Sequence, residues 1–314
     1  MKAVIIGGSI AGSTVAVSLR KKLPQASITV ISDEIYPFYD RRKLLEYWSG
    51  RVREKDLFLL GPDAYQQQAI TLLKECKVVS LNPGRRTVSY KKDDARQSIE
   101  YDYLVIATGT RTGRPDIEGI NKTGVLRFDS LADFKELKSC VTEDAVCLIG
   151  KNDYRDTIAG LLASRKVEVK LFPGPGQQAD AVSPPDGTQE EHADVPAAVP
   201  DTTCAMEEVH SEIVEIIGES GVQAIKLKEG KIIGVSWVGL TLPPEPSIDF
   251  LKDTGIELNH GAVAVDEGMR SSLPNIFACG SVCLRRGASP RTKTWEDAEA
   301  EACLVVEQLL QTPV

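Results

Sequence analysis

The stretch Met1-Lys2-Ala3-Val4-Ile5-Ile6-Gly7-Gly8-Ser9-Ile10-Ala11-Gly12 decides the reading of the whole chain. Ala3 to Ile6 is a short run of small and β-branched apolar residues, the composition of a parallel strand buried on both faces. Gly7 and Gly8 break the run, and Gly12 opens a helix-forming segment, Ser13 to Lys22. A strand, a glycine turn and a helix in that order present backbone N–H groups and a positive helix end to a diphosphate. Glycine lets the backbone approach phosphate oxygens with no Cβ in the way. The full fingerprint also calls for an acid about 20 residues on, at the end of the next strand. That strand, Ser27 to Ile31, ends at Ser32, and Asp33 follows as the candidate substitute. Ser9 takes the middle glycine position. The stretch reads as a dinucleotide site, with a plain parallel-sheet turn as the alternative.

Working outward, 314 residues suffice for two domains of ordinary size. Apolar content of 42% with 26% charged residues is that of a globular protein. A formal charge of −8 argues against indiscriminate nucleic-acid binding, which needs a basic surface. No apolar run approaches the roughly 20 residues that span a bilayer, so no membrane association is expected. The chain opens on a structural strand rather than a secretory signal, which points to the cytoplasm. Seven cysteines occur without a C-x-x-C, so neither a zinc ribbon nor a thioredoxin-like pair is suggested. Small buried hydrophobes in a reducing compartment are the expectation. Three scattered histidines make a histidine-based metal site improbable, and no metal is expected.

Further along, Tyr36 to Gly50 mixes aromatics, a proline and the cations Arg41, Arg42 and Lys43, as in a loop feeding a short helix. Arginine and lysine are natural partners of phosphate. Residues 57–74 read as helical and polar, Lys77 to Leu81 as a strand, and Thr87 to Lys91 with Ser98 to Tyr101 as a hairpin. Next comes Tyr101-Asp-Tyr-Leu-Val-Ile-Ala-Thr-Gly-Thr110, a buried strand running into Ala107-Thr108-Gly109, where small residues let the backbone pass close to a ligand. A later segment, Ser271-Ser-Leu-Pro-Asn-Ile-Phe-Ala-Cys-Gly-Ser-Val282, completes the set.

The order of these motifs resembles the FAD-dependent pyridine nucleotide-disulfide oxidoreductases, in the branch of NADH:rubredoxin reductases and the flavin domain of assimilatory nitrite reductases. The resemblance runs from Lys2 to about Gln311. It implies an α/β fold of two Rossmann-like three-layer domains. The FAD domain is discontinuous (residues 1–115 and 251–314), with an abbreviated NAD-type domain, residues 116–250, inserted. The C-terminal dimerisation domain of relatives is not expected. The cofactor-binding positions on this reading are Gly7, Gly8, Ser9, Ile10, Ala11, Gly12, Ser32, Asp33, Arg41, Arg42, Lys43, Val78, Ala107, Thr108, Gly109, Gly280, Ser281 and Trp295. Ser281 stands where the family has an aspartate on the ribityl chain. A hydroxyl keeps a hydrogen bond there but not its charge-assisted strength. Trp295-Glu-Asp-Ala298 resembles the segment beside the flavin ring.

The inserted domain departs most. A second glycine fingerprint belongs after Ile149, but the residues are Gly150-Lys-Asn-Asp-Tyr-Arg155, with only the first glycine kept. Asp153 and Tyr154 would crowd and repel a pyrophosphate, and close backbone approach is not provided for. Residues 173–206, rich in Pro, Ala, Asp and Gln, read as a disordered or extended loop. FAD is therefore the expected cofactor, while NAD(P)H binding stays open.

No cysteine lies in Arg41 to Gly50, where relatives with disulfide chemistry keep a redox thiol, so the flavin alone would carry electrons and no side chain is assigned as catalytic. The expectation is an FAD-dependent oxidoreductase moving electrons between NAD(P)H and a small acceptor or redox protein. The alternative is a non-catalytic or electron-relay subunit of a larger redox complex. Arg285, Arg286, Arg291 and Lys293, with Arg41 to Lys43, are read as a docking patch for an acidic redox protein such as a ferredoxin or rubredoxin. A solvated loop is the competing reading.

Overall fold

In the computed structural model the strand Lys2–Ile6 (β1) is buried from Ala3 onward and sits at the centre of a sheet. The model describes residues 1–140, 145–177 and 206–311. The helix Ile10–Lys22 (α1) follows β1, and the strand Ser27–Ile31 (β2) runs parallel to β1 in register Lys2↔Ser27 to Ile6↔Ile31. On the other side of β1 lies Tyr103–Ile106, then Ile276–Ala278; beyond β2 lies Ile70–Leu73. All four pairings are parallel. Continuous apolar strands such as Ala-Val-Ile-Ile and Tyr-Leu-Val-Ile suit this arrangement, because a parallel sheet is covered on both faces.

The chain divides into two compact units. The first takes in Met1–Asp40, Phe58–Thr110 and Pro246–Val314; the second takes in Arg41–Leu57 and Arg111–Glu245. The second unit has its own five-stranded parallel sheet, in the order Met206–Glu208, Val169–Phe172, Val146–Ile149, Val238–Leu240, Val125–Leu126. The helix Asp153–Ala163 follows the central strand, repeating the strand–turn–helix of the N-terminus. A three-stranded antiparallel sheet (Ile213–Ile217, Ala224–Leu227, Ile232–Gly234) belongs to the same unit.

One local expectation is corrected. Residues 57–74 are not one helix: Pro62–Gln67 is helical and Ile70–Leu73 is a strand beside β2. Ala69, at φ +50°, ends the helix, and Ile-Thr-Leu-Leu fits the open edge of a parallel sheet better than a solvated helix face. Most of the proline- and alanine-rich stretch, residues 178–205, lies outside the described residues. Among the described residues no helix is long and apolar enough to cross a membrane, and no cluster of metal-ligating side chains occurs.

Candidate functional site

The carboxyl ends of the first unit's strands line up at one edge. Gly7 N–H donates to Ile31 O, Ser32 N–H to Leu73 O, Ala107 N–H to Ile6 O and Cys279 N–H to Ile106 O, all between 2.8 and 3.1 Å. The sheet ladder thereby carries Gly7, Ser32, Ala107 and Gly280 to a common rim, the place where open α/β sheets receive ligands. Gly7, at φ +111°, packs so tightly that a Cβ there would lie 2.1 Å from Ala107 O. A Cβ on Gly12 would lie 1.9 Å from Gly7 O. Both glycines are required by the packing of the turn itself.

Ser9 makes no side-chain cap, and the first turn of α1 contains no acid. The N–H groups of the first turn have no intrahelical acceptor, and together with the helix dipole they favour an anion. Behind the turn, Ser13 Oγ donates to Gly8 O at 2.9 Å and lies 2.9 Å from Tyr65 Oη. This buried pair engages the Gly8 carbonyl, and burial raises the Tyr65 pKa against the opposing pull of the Ser13 bond.

At the end of β2, Ser32 is buried and its Oγ accepts the Glu34 N–H at 3.2 Å. Asp33 is exposed. Glu34, which the sequence reading passed over, is oriented by Tyr39, whose hydroxyl donates to Glu34 Oε2 at 2.6 Å. Two acids therefore follow Ser32, and the second is held in place. Cys76 N–H donates to Ser32 O, which brings the strand Lys77–Asn82, with Val78 packed on the core, next to the end of β2.

In the Ala107-Thr108-Gly109 loop, Thr108 Oγ1 donates to Ser247 O at 2.8 Å and Ser247 N–H donates to Gly109 O at 3.0 Å. Ser247 Oγ is buried without a hydrogen-bond partner. Such an orphan costs about 1–3 kcal/mol unless something else completes it, so this loop fits a bound polar group. Opposite α1, Gly280 (φ +80°) would place a Cβ 3.2 Å from Ala11 Cβ, so the Gly280–Ser281 turn abuts the first turn of α1. Trp295, at the start of the final helix Trp295–Gln311, stacks on Phe38 with centroids 5.7 Å apart and planes 14° from parallel.

Arg41, Arg42 and Lys43 form a 3₁₀ turn in the second unit, where Arg41 donates to the Asp129 carbonyl. In the second basic cluster Arg285 pairs with Glu267, Arg286 with Glu257, Arg291 with Asp297 and Lys293 with Glu301. Within the first unit each of these cations faces a carboxylate, two from well upstream (Glu257 and Glu267) and two from the final helix (Asp297 and Glu301).

The second unit's turn has the opposite character to the first. Asn152 caps the Asp153–Ala163 helix, its Oδ1 accepting Arg155 N–H at 2.8 Å while Nδ2 donates to the Thr241 carbonyl. Asp153 and Asp156 occupy the first turn. Arg155, 4% exposed, donates to Gly150 O at 3.0 Å and pairs with Glu208 at 2.9 Å and Asp156 at 2.7 Å. One N–H of this turn is thus already taken by a side chain, and two acids stand in the first turn of its helix, unlike the start of α1.

Cys147 and Cys279 are buried, and burial pushes their thiols well above the usual range; Cys283 is pushed up to about 12 by the same cause. Cys303 is exposed on the final helix.

Comparison with known proteins agrees with the fold. The sequence is 26% identical over 286 residues to a protein named NADH oxidase from Methanocaldococcus jannaschii, covering 89% of this chain and 62% of that one. It is 26% identical over 320 residues to a rubredoxin-NAD(+) reductase from Ectopseudomonas oleovorans, covering 99% of this chain and 80% of that one. Among solved structures, a ferredoxin reductase for the CYP199A2 system of Rhodopseudomonas palustris superposes with a TM-score of 0.76 at 24% identity, covering 98% of this chain and 76% of that one. That likeness speaks for the fold. The family model described as pyridine nucleotide-disulphide oxidoreductase matches residues 1–151 and 207–302, most of the length, and the chain belongs to that family of oxidoreductases.

Proposed function

We propose that the chain is an FAD-dependent oxidoreductase that moves electrons between NAD(P)H and a small acceptor or a redox protein of the ferredoxin or rubredoxin kind, without a redox-active cysteine. Residues 1–115 and 251–314 are read as the FAD-binding domain and 116–250 as an inserted NAD(P)-type domain. The observation that carries the reading is the start of α1: no side-chain cap, no acid in the first turn, and glycines packed at 1.9 and 2.1 Å Cβ distances around it. The residues fit the cofactor. Gly8 to Gly12 would face the pyrophosphate, Asp33 or Glu34 the adenosine ribose, Ala107 to Gly109 and Gly280–Ser281 the flavin side, and Trp295 the ring. Bound there, a flavin supplies two-electron acceptance and one-electron donation, while the protein binds, orients and excludes water.

A second reading is favoured by the capped and filled turn at Gly150 to Arg155: an FAD-binding relay subunit that takes electrons from another protein. The discriminating experiment is a visible spectrum before and after anaerobic NADH or NADPH. Flavin bands that bleach support the first reading. Flavin bands that persist, yet bleach with dithionite, support the second. Absence of flavin bands after incubation with FAD refutes both.

A further inference from the structure

A buried charged pair, Lys293 and Glu301, packs against the Gly280–Ser281 turn. Lys293 precedes the final helix, and Glu301 stands on that helix's buried stripe beside Ala298 and Ala302. Their side chains are only 7% and 11% exposed, with Lys293 Nζ 2.7 Å from Glu301 Oε1 and 2.8 Å from Oε2. Buried ion pairs are tolerated when the remaining donors and acceptors are satisfied, because desolvation otherwise outweighs the Coulomb gain. Here both partners complete their bonding on Gly280 and Cys283. Glu301 Oε2 accepts the Gly280 N–H at 2.9 Å, and Lys293 Nζ donates to Gly280 O at 3.0 Å and to Cys283 Sγ at 3.4 Å. Gly280 is the residue whose left-handed backbone abuts Ala11 at the start of α1. Ser281, the next residue, is exposed.

We propose that Lys293 and Glu301 are the positioning pair of the ribityl-binding turn. They fix Gly280 through its N–H and its C=O, and FAD retention depends on them more than on the Ser281 hydroxyl. The proposal rests on the FAD reading given above. Its logic is a displaced charge: the family resemblance calls for a carboxylate at 281, a neutral hydroxyl stands there, and a carboxylate at 301 grips the same turn from behind. Charge-assisted bonds are roughly twice as strong as neutral ones, so the grip at 301 outweighs the contact at 281.

The test is FAD titration of the FAD-stripped full chain, followed by flavin fluorescence, with thermal melting of the FAD-free protein as the readout of folding. Wild type, Ser281→Ala, Lys293→Arg, Lys293→Met, Glu301→Gln and the double variant Lys293→Met/Glu301→Gln are compared. Ser281→Ala is expected to stay within about threefold of wild-type Kd, and Lys293→Arg, which keeps the charge but not the compact ammonium, to fall between Ser281→Ala and Lys293→Met. Lys293→Met and Glu301→Gln each weaken binding about tenfold or more, since each leaves a buried charge unpaired. The double variant loses less than the product of the two single losses, the coupling that a direct pair requires and that general loosening does not give. Single losses that simply multiply, or a Ser281→Ala loss larger than that of Lys293→Met, overturn the proposal. Should the charge variants not fold, Ser281→Ala and Lys293→Arg decide it: a Ser281→Ala loss of about tenfold, or one larger than that of Lys293→Arg, overturns the assignment. Wild type that takes up no FAD overturns the FAD reading itself, and does so before any substitution is made.

Discussion

Replacing Gly12 by alanine tests whether the glycine turn is a cofactor cradle or only a tight corner. The added Cβ would stand 1.9 Å from Gly7 O, so that contact must open by about 1.1 Å to reach the 3.0 Å that real Cβ atoms respect. The obstacle is backbone, and no rotamer change relieves it. Overpacking of this kind costs about 1–3 kcal/mol, while alanine in place of glycine inside a helix returns about 1 kcal/mol. The net loss of stability is then about 1 kcal/mol, or a melting decrease of about 2–4 °C. The effect on FAD is larger. If α1 retreats by an ångström, about two phosphate-directed N–H bonds are lost, each worth about 1.5 kcal/mol, which weakens binding about 100-fold. The assay is the flavin-to-protein absorbance ratio after desalting, with Kd by fluorescence and melting in parallel. A Gly12→Ala protein that keeps stoichiometric FAD with wild-type affinity refutes the reasoning, because the close approach at Gly12 would then have nothing to do with the cofactor.

Three further outcomes are expected. Gly160→Ala, inside the Asp153–Ala163 helix where a Cβ would meet nothing within 4 Å, raises stability by up to about 1 kcal/mol, seen as a higher urea midpoint at unchanged slope. Asn152→Ala removes the cap of the same helix and lowers stability by about 1 kcal/mol, measured by urea unfolding. Asp297 accepts bidentate bonds from Arg291 at 2.7 and 3.0 Å and from Thr294 N–H at 3.0 Å, and the Arg291 bond above all lowers its pKa from 3.8 to about 2. A depressed carboxyl pKa contributes stability above the unfolded value and loses it as pH falls through the folded one. Asp297→Asn therefore destabilises by about 1 kcal/mol at pH 7, after discounting for solvent screening, and the difference from wild type shrinks below about pH 4. A difference that stays constant down to pH 3 contradicts the assignment.

Much of the first unit was legible in the chain because its signals are local. Ala-Val-Ile-Ile, Tyr-Leu-Val-Ile and Ile-Phe-Ala are apolar runs too short for helices and too apolar for exposed strands, so each reads as a buried parallel strand. The glycines that follow mark where the backbone must turn sharply at the rim. The reading of residues 57–74 went astray because Ile-Thr-Leu-Leu is ambiguous by periodicity, and only the vacant edge beside β2 makes it a strand. At the site, Glu34 was overlooked because Ser32 occupies the customary position, and nothing in the sequence says that Tyr39 will turn the next acid but one. Glu301 did leave a trace: it is a charge on the stripe Ala298, Ala302, Val305, Leu309, where a helix facing the core should be apolar.

The sequence by itself determined the α/β architecture, the two strand–turn–helix units and the family, since these follow from the order of apolar runs and glycines along the chain. Only the tertiary structure decided where the charges stand. Arg285, Arg286, Arg291 and Lys293 read in sequence as a docking patch or a solvated loop, and the fold sets Glu267, Glu257, Asp297 and Glu301 against them; the two similar turns separate into one without a side-chain cap at Ser9 and a capped one at Asn152. The physical reason is range. Hydrophobic periodicity is written in neighbours a few residues apart, whereas a cation can be paired by an acid from well upstream, as at Arg285 and Arg286, or across the start of a helix, as at Arg291 and Lys293.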